Sequence, residues 1–129
     1  MEEKTDLSGK NILLTGGGSG MGEATALALA NSGANVAIVG RRMATLTSTL
    51  AKVQPFGKIL AKEADVTDRK SLDGLFQWFD GEVGTLYYLV HAAGVNVALR
   101  SMQELSPDDW DQLIETNLTG SYNIIRLAL

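Results

Sequence analysis

The densest chemistry-bearing spacing in the sequence is Thr15-Gly16-Gly17-Gly18-Ser19-Gly20-Met21-Gly22. An apolar run enters it at Asn11-Ile12-Leu13-Leu14, and an alanine-rich run leaves it. A buried strand, a turn too tight for side chains and a helix starting at that turn together make an anion site. Free backbone N–H groups face outward there, and the helix dipole favours negative charge. Glycine is needed because Cβ atoms would hold a pyrophosphate away from the donors. The plain alternative is a flexible glycine turn. Arg41 and Arg42 form the second set. Guanidinium forks suit a phosphate, whereas cations just ahead of a helix oppose its dipole and gain little structurally. Their plain alternative is a solvated basic turn.

The elements that would position these residues follow from periodicity and breakers. Residues 11–15 read as a strand, and residues 20–32 as a helix with Met21, Ala24, Leu27, Ala28 and Ala30 on its small-residue face. Gly33 reads as its cap. Residues 35–39 form a second buried strand, 43–53 a helix ended by Pro55-Phe56-Gly57, and 58–64 a more polar strand nearer an edge. Residues 69–82 read as a helix facing inward through Leu72, Leu75, Phe76 and Phe79. Residues 85–90 form a fourth strand, apolar on both faces. Ser106-Pro107-Asp108-Asp109 starts a last helix, with Trp110, Leu113, Ile114, Asn117, Leu118 and Ser121 on one stripe. This strand–helix alternation predicts an α/β doubly wound parallel sheet with right-handed crossovers. Ligands of such sheets lie at the carboxyl ends of the strands. The loops at 15–22, 40–42, 65–66 and 91–94 all fall on that edge.

Template spacing narrows the ligand. Gly17 and Gly22 are separated as in a P-loop, but Glu23 stands where Lys is required. The common dinucleotide fingerprint needs Gly at 21, where Met stands. The pattern that fits is Thr15-Gly16-x-x-x-Gly20-x-Gly22, which resembles the cofactor loop of the short-chain dehydrogenase/reductase family. That resemblance covers nearly the whole chain. It implies a Rossmann fold with four βα units in strand order 3-2-1-4, the C-terminal half of the sheet being absent from residues 1–129. The apolar fourth strand would then be a bare edge, and the chain a dinucleotide-binding domain truncated after its fourth unit.

The resemblance also assigns roles. Gly16, Gly18, Ser19, Gly20, Met21 and Gly22 would carry the pyrophosphate loop. Asp65 would bond the adenine amino group and Val66 pack on the ring, with a turn or cap role as the alternative for Asp65. His91-Ala92-Ala93-Gly94 stands where the family commonly has Asn-Asn-Ala-Gly, so Ala93 and Gly94 match and allow backbone approach, while the side-chain bonds of the two asparagines do not carry over. His91 reads as a strand-end histidine. Thr116-Asn117-Leu118-Thr119-Gly120 resembles the segment whose Asn belongs to the catalytic tetrad, making Asn117 the catalytic candidate. A core amide is the alternative. The family transfers hydride between a nicotinamide and a carbonyl or alcohol. Its Ser and Tyr-x-x-x-Lys do not occur in these residues. Tyr122 and Arg126 have a similar offset, but Tyr122 lies about 140° round the helix from Asn117 at 100° per residue. With no acid ending the second strand and arginines following it, the cofactor expectation is NADP(H), with NAD(H) second. The alternative function is a non-catalytic NADP-binding or protein-interaction module.

Composition sets outer bounds. The 129 residues are 45% hydrophobic, enough for one domain with a core. A net charge of −4 without a Lys/Arg block argues against nucleic acid. No cysteine and one histidine argue against a metal site. The acidic start lacks a signal-peptide core and no window would span a bilayer, so the expected location is the cytoplasm, without a membrane partner. Family members pair through the last helix, which implies a homo-oligomer.

Overall fold

The computed structural model describes residues 5–53 and 57–129. The polar start at residues 1–4 and the break expected at Pro55 and Phe56 lie outside the described residues. Asn11–Thr15 (β1), Asn35–Gly40 (β2), Lys58–Glu63 (β3) and Tyr88–His91 (β4) are strands, paired in parallel in the order β3-β2-β1-β4. This is the predicted doubly wound order. The helices are Gly20–Asn31 (α1), Met43–Leu50 (α2), Arg69–Glu82 (α3), Pro107–Leu113 (α4) and Gly120–Ala128 (α5). A π-helical segment, Ile114–Thr119, joins the last two. No helix among the described residues is long and apolar enough to cross a membrane.

Period-2 alternation in the central strands builds a core on each face of the sheet. Ile12, Leu14, Val36 and Ile38 pack with Ala26, Ala30 and Leu46 on one side. Leu13, Ala37 and Val39 pack with Leu72, Leu75, Phe79 and Ile124 on the other. In register, Ile12 pairs Val36 and Leu14 pairs Ile38, so the strands end together at Thr15, Gly40, Glu63 and His91. The local signals behave as their chemistry requires. Asp68 caps α3 by accepting from Lys70 and Ser71 N–H, and Ser106 caps α4 through Asp109 N–H. α1 closes with paired bonds from Gly33 N–H to Ala30 O and Ala34 N–H to Leu29 O.

The structure differs from the sequence reading in several places. α1 buries Gly22, Ala26 and Ala30, and Met21, Ala24 and Ala28 are exposed. The helix is small and apolar all round, so periodicity did not single out a face. Closest approach to the sheet selects the smallest residues at i, i+4 and i+8. α2 stops at Leu50 rather than at residue 53. β4 is shorter than residues 85–90, and Tyr88 is half exposed rather than covered on both faces, because the strand lies at the sheet edge. The last helix runs unbroken from Pro107 to Ala128, as expected, but changes to π geometry over Ile114–Thr119. Its expected apolar stripe is largely exposed, including Trp110, Ile114 and Leu118, whereas Thr116, Gly120, Asn123 and Ile124 are buried. α4 buries no residue, so the stripe is already exposed before the π-helical segment begins, and from there on the buried positions are Thr116, Gly120, Asn123 and Ile124.

Candidate functional site

The glycine corner is built by backbone contact. Gly16 has φ +74°, and a Cβ there would lie 2.7 Å from the Ala92 carbonyl carbon. A Cβ on Gly22 would overlap the Gly16 carbonyl oxygen. The strand end, the turn and the first turn of α1 therefore touch through main chain alone. The first amides of α1, on Gly20, Met21 and Gly22, precede any intrahelical acceptor. Ser19 occupies the N-cap but makes no side-chain cap bond. Thr49, fully buried on α2, donates to the Gly17 carbonyl at 2.7 Å and lies 2.8 Å from Glu23 Oε2. Lys52 reaches Glu23 Oε1 at 2.7 Å, and that bond holds Glu23 below the usual carboxylate range. This brace fixes the loop from beneath.

Across from the corner, β2 delivers Arg41 and Arg42, both exposed and without an ion pair among the described residues. Glu63 Oε1 accepts from the Met43 N–H at 2.7 Å and so supplies the cap that Arg42, the N-cap residue of α2, does not. After β3, Asp65 Oδ1 accepts from Thr67 N–H and Oγ1 at 2.9 and 2.8 Å, the expected turn. Oδ2 has no partner among the described residues. Val66 is buried beside it and backs onto Gly120.

His91 ends β4, as its reading as a strand-end histidine expected. His91 makes side-chain bonds, with Nδ1 2.6 Å from Thr15 Oγ1 and Nε2 2.9 Å from Ser121 Oγ. Burial pushes its pKa below the ordinary 6.5. Ala93 N–H donates to Thr15 Oγ1 at 3.2 Å.

These loops surround one cavity of about 360 Å³. It is lined by Gly16, Gly18, Ser19, Gly20, Met21, Gly22, Arg41, Arg42, Asp65, Val66, Ala93 and Gly94. The topology thus brings together the loop residues that the sequence singled out. Asn117 is not on that lining. It is exposed, not a core amide, and its carboxamide accepts from Val95 N–H at 2.8 Å and donates to Val95 O at 2.9 Å. Val95 and Thr116 line the cavity in its place, with Thr15 and Thr45. Sequence reasoning quoted Thr15 in the glycine pattern and Thr116 beside Asn117 without giving either a site role, and missed Val95, Thr45, Thr49 and Glu63. A lone threonine carries no spacing signal, and its role here depends on which loop lies opposite. Tyr122 is exposed, its hydroxyl accepting from Arg126 Nη1 at 2.9 Å.

The cradle fits a dinucleotide. Amides without Cβ cover stand at a helix start, cations stand near, and a free carboxylate oxygen stands beyond.

Comparison with known proteins gives the same frame. The sequence profile of the short chain dehydrogenase family matches residues 10–129. Glycine betaine reductase ATRR of Emericella nidulans is 39% identical over 121 residues, which is 93% of this chain and 9% of that protein. A short-chain type dehydrogenase/reductase from Mycobacterium marinum superposes with a TM-score of 0.90 at 32% identity, covering 97% of this chain and 51% of its own. The 3-ketoacyl-(acyl-carrier-protein) reductase from Brucella melitensis complexed with NADH gives 0.88 at 29% identity, covering 96% and 50%. The chain spans about half the length of further curated relatives, 48% and 47% for two of them. With the sheet order, the glycine corner and a matching profile from residue 10 onward, the chain belongs to the short chain dehydrogenase/reductase family of oxidoreductases.

Proposed function

We propose that this chain is the dinucleotide-binding domain of an NADP(H)-dependent oxidoreductase acting on a small carbonyl or alcohol. The observation that carries the reading is the cavity shared by the glycine corner, Arg41, Arg42 and Asp65. Gly16, Gly18, Ser19, Gly20, Met21 and Gly22 would hold the pyrophosphate through main-chain donors. Arg41, aided by Arg42, would hold the 2′-phosphate, since a guanidinium binds a phosphate by paired N–H bonds. Asp65 Oδ2 would accept from the adenine amino group, and Val66 would back the ring. Ala93 and Gly94 let main chain approach without side-chain bulk. Asn117 would order the catalytic end by fixing Val95. A nicotinamide cofactor, when bound, supplies or accepts the hydride.

Calorimetric titration of the chain with NADPH and with NADH tests this. NADPH is expected to bind more tightly, and Arg41→Ala to weaken NADPH by about tenfold, roughly 1.4 kcal/mol, with little effect on NADH. Natively folded protein that binds neither nucleotide overturns the reading.

A non-catalytic binding and pairing module is the second reading. The exposed stripe of Trp110, Ile114, Leu118 and Ile125 favours it, being apolar surface of a kind that pairs. Self-association through that stripe, in the cytoplasm, is proposed on either reading.

A further inference from the structure

His91 joins separate parts of the fold through a chain of bonds that has one consistent proton assignment. The Ser121 hydroxyl donates its only proton to the Asn117 main-chain carbonyl at 2.5 Å. Ser121 Oγ must therefore accept from His91, which places a proton on Nε2. Nδ1 is then the bare nitrogen, and the Thr15 hydroxyl donates to it. Thr15 Oγ1 keeps a lone pair for Ala93 N–H. Each donor meets one acceptor, whereas the alternative tautomer would turn the Nε2 lone pair toward the Ser121 oxygen and take from the Thr15 hydroxyl proton its acceptor.

From Asn117 the chain continues to the cavity wall, because its carboxamide grips Val95 at both N–H and O. The hydrogen-bonding groups around the imidazole are uncharged: Thr15 from β1, the Ala93 main chain beyond β4, and Ser121 with Asn117 from the last helix. No acidic or basic side chain bonds it among the described residues.

We infer that His91, as the neutral Nε2–H tautomer, is a positioning residue that couples the end of β1 to Asn117 through Thr15 and Ser121, and so sets the cavity wall at Val95. This rests on the proposal that Asn117 belongs to the site. It goes beyond it in naming what holds Asn117 and in which protonation state.

The test is nitrogen-15 NMR of the full chain without nucleotide. At neutral pH, His91 is expected to show a protonated Nε2 and an unprotonated Nδ1. Gln at this position keeps an N–H donor near the Nε2 position, whereas Asn reaches only the Nδ1 position. His91→Asn should raise Val95 amide exchange by about tenfold or more, while His91→Gln should hold it within about threefold of the parent. An Nδ1–H pattern, equal Val95 protection in all three proteins, or equal loss in both variants overturns the inference. Should His91→Asn not fold, Ser121→Ala removes the receiving hydroxyl. The same rise at Val95 is expected, and unchanged protection overturns the inference. Since no nucleotide is present, failure to bind NADPH would strike the cofactor reading alone.

Discussion

At the residue scale, backbone packing reverses an ordinary preference at Gly22. Replacing a helical glycine by alanine usually stabilises a helix by about 1 kcal/mol. Gly22→Ala should instead destabilise by roughly 1–3 kcal/mol, because its methyl collides with a main-chain oxygen that cannot rotate away. Urea unfolding reads the sign, and a stabilised variant would contradict the geometry. Thr49→Val should cost about 1–3 kcal/mol in the same assay, since it strands the Gly17 carbonyl under α2. His91 gives a pH signature. Its folded pKa lies below its unfolded value of 6.5 through burial. Between those values the unfolded chain binds the extra proton, so stability rises with pH through that window and is lost as pH falls below about 6.5. The urea midpoint measured on either side of 6.5 should show this step, reduced in His91→Gln.

At the element scale, the accuracy of the sequence reading tracks contrast between faces. α3 was legible because Leu72, Leu75 and Phe79 stand against Asp73, Gln77 and Asp80. α1 was not, because nearly every position is small or apolar and the choice of face falls to closeness of approach. Two substitutions on α1 separate these faces. Ala26→Leu should cost about 1–3 kcal/mol by overpacking the buried face. Ala24→Leu, on the exposed face, should stay within roughly 0.5 kcal/mol. The Ile114–Thr119 segment defeated extrapolation for another reason. It runs into Gly120, where a Cβ would lie 2.6 Å from Val66 Cγ2. That contact comes from a different loop, and no local pattern encodes it.

At the scale of the whole molecule, β1 and β2 are enclosed, while β4 pairs with β1 on one side only among the described strands. The apolar stripe exposed on the last helix is the surface on which the proposed self-association would rest. Leu118→Lys, at a position 64% exposed, should shift sedimentation toward smaller species without lowering the unfolding midpoint. An unchanged sedimentation profile would remove the stripe from the pairing surface.

The sequence by itself determined the alternation of strands and helices, the parallel sheet, the glycine corner and the loops at one sheet edge, while the strand order came from the family resemblance. Those features follow from local period, from breakers and from the geometry of right-handed crossovers, all of which are written along the chain. Only the tertiary structure decided which face of α1 is buried and where the last helix gains its π segment. It alone showed that Thr49 braces the loop and that His91 joins Thr15 to Ser121. Each of these is settled by a partner distant in sequence, by whether a Cβ fits or a hydroxyl finds its acceptor, and such complementarity exists only once the layers are packed.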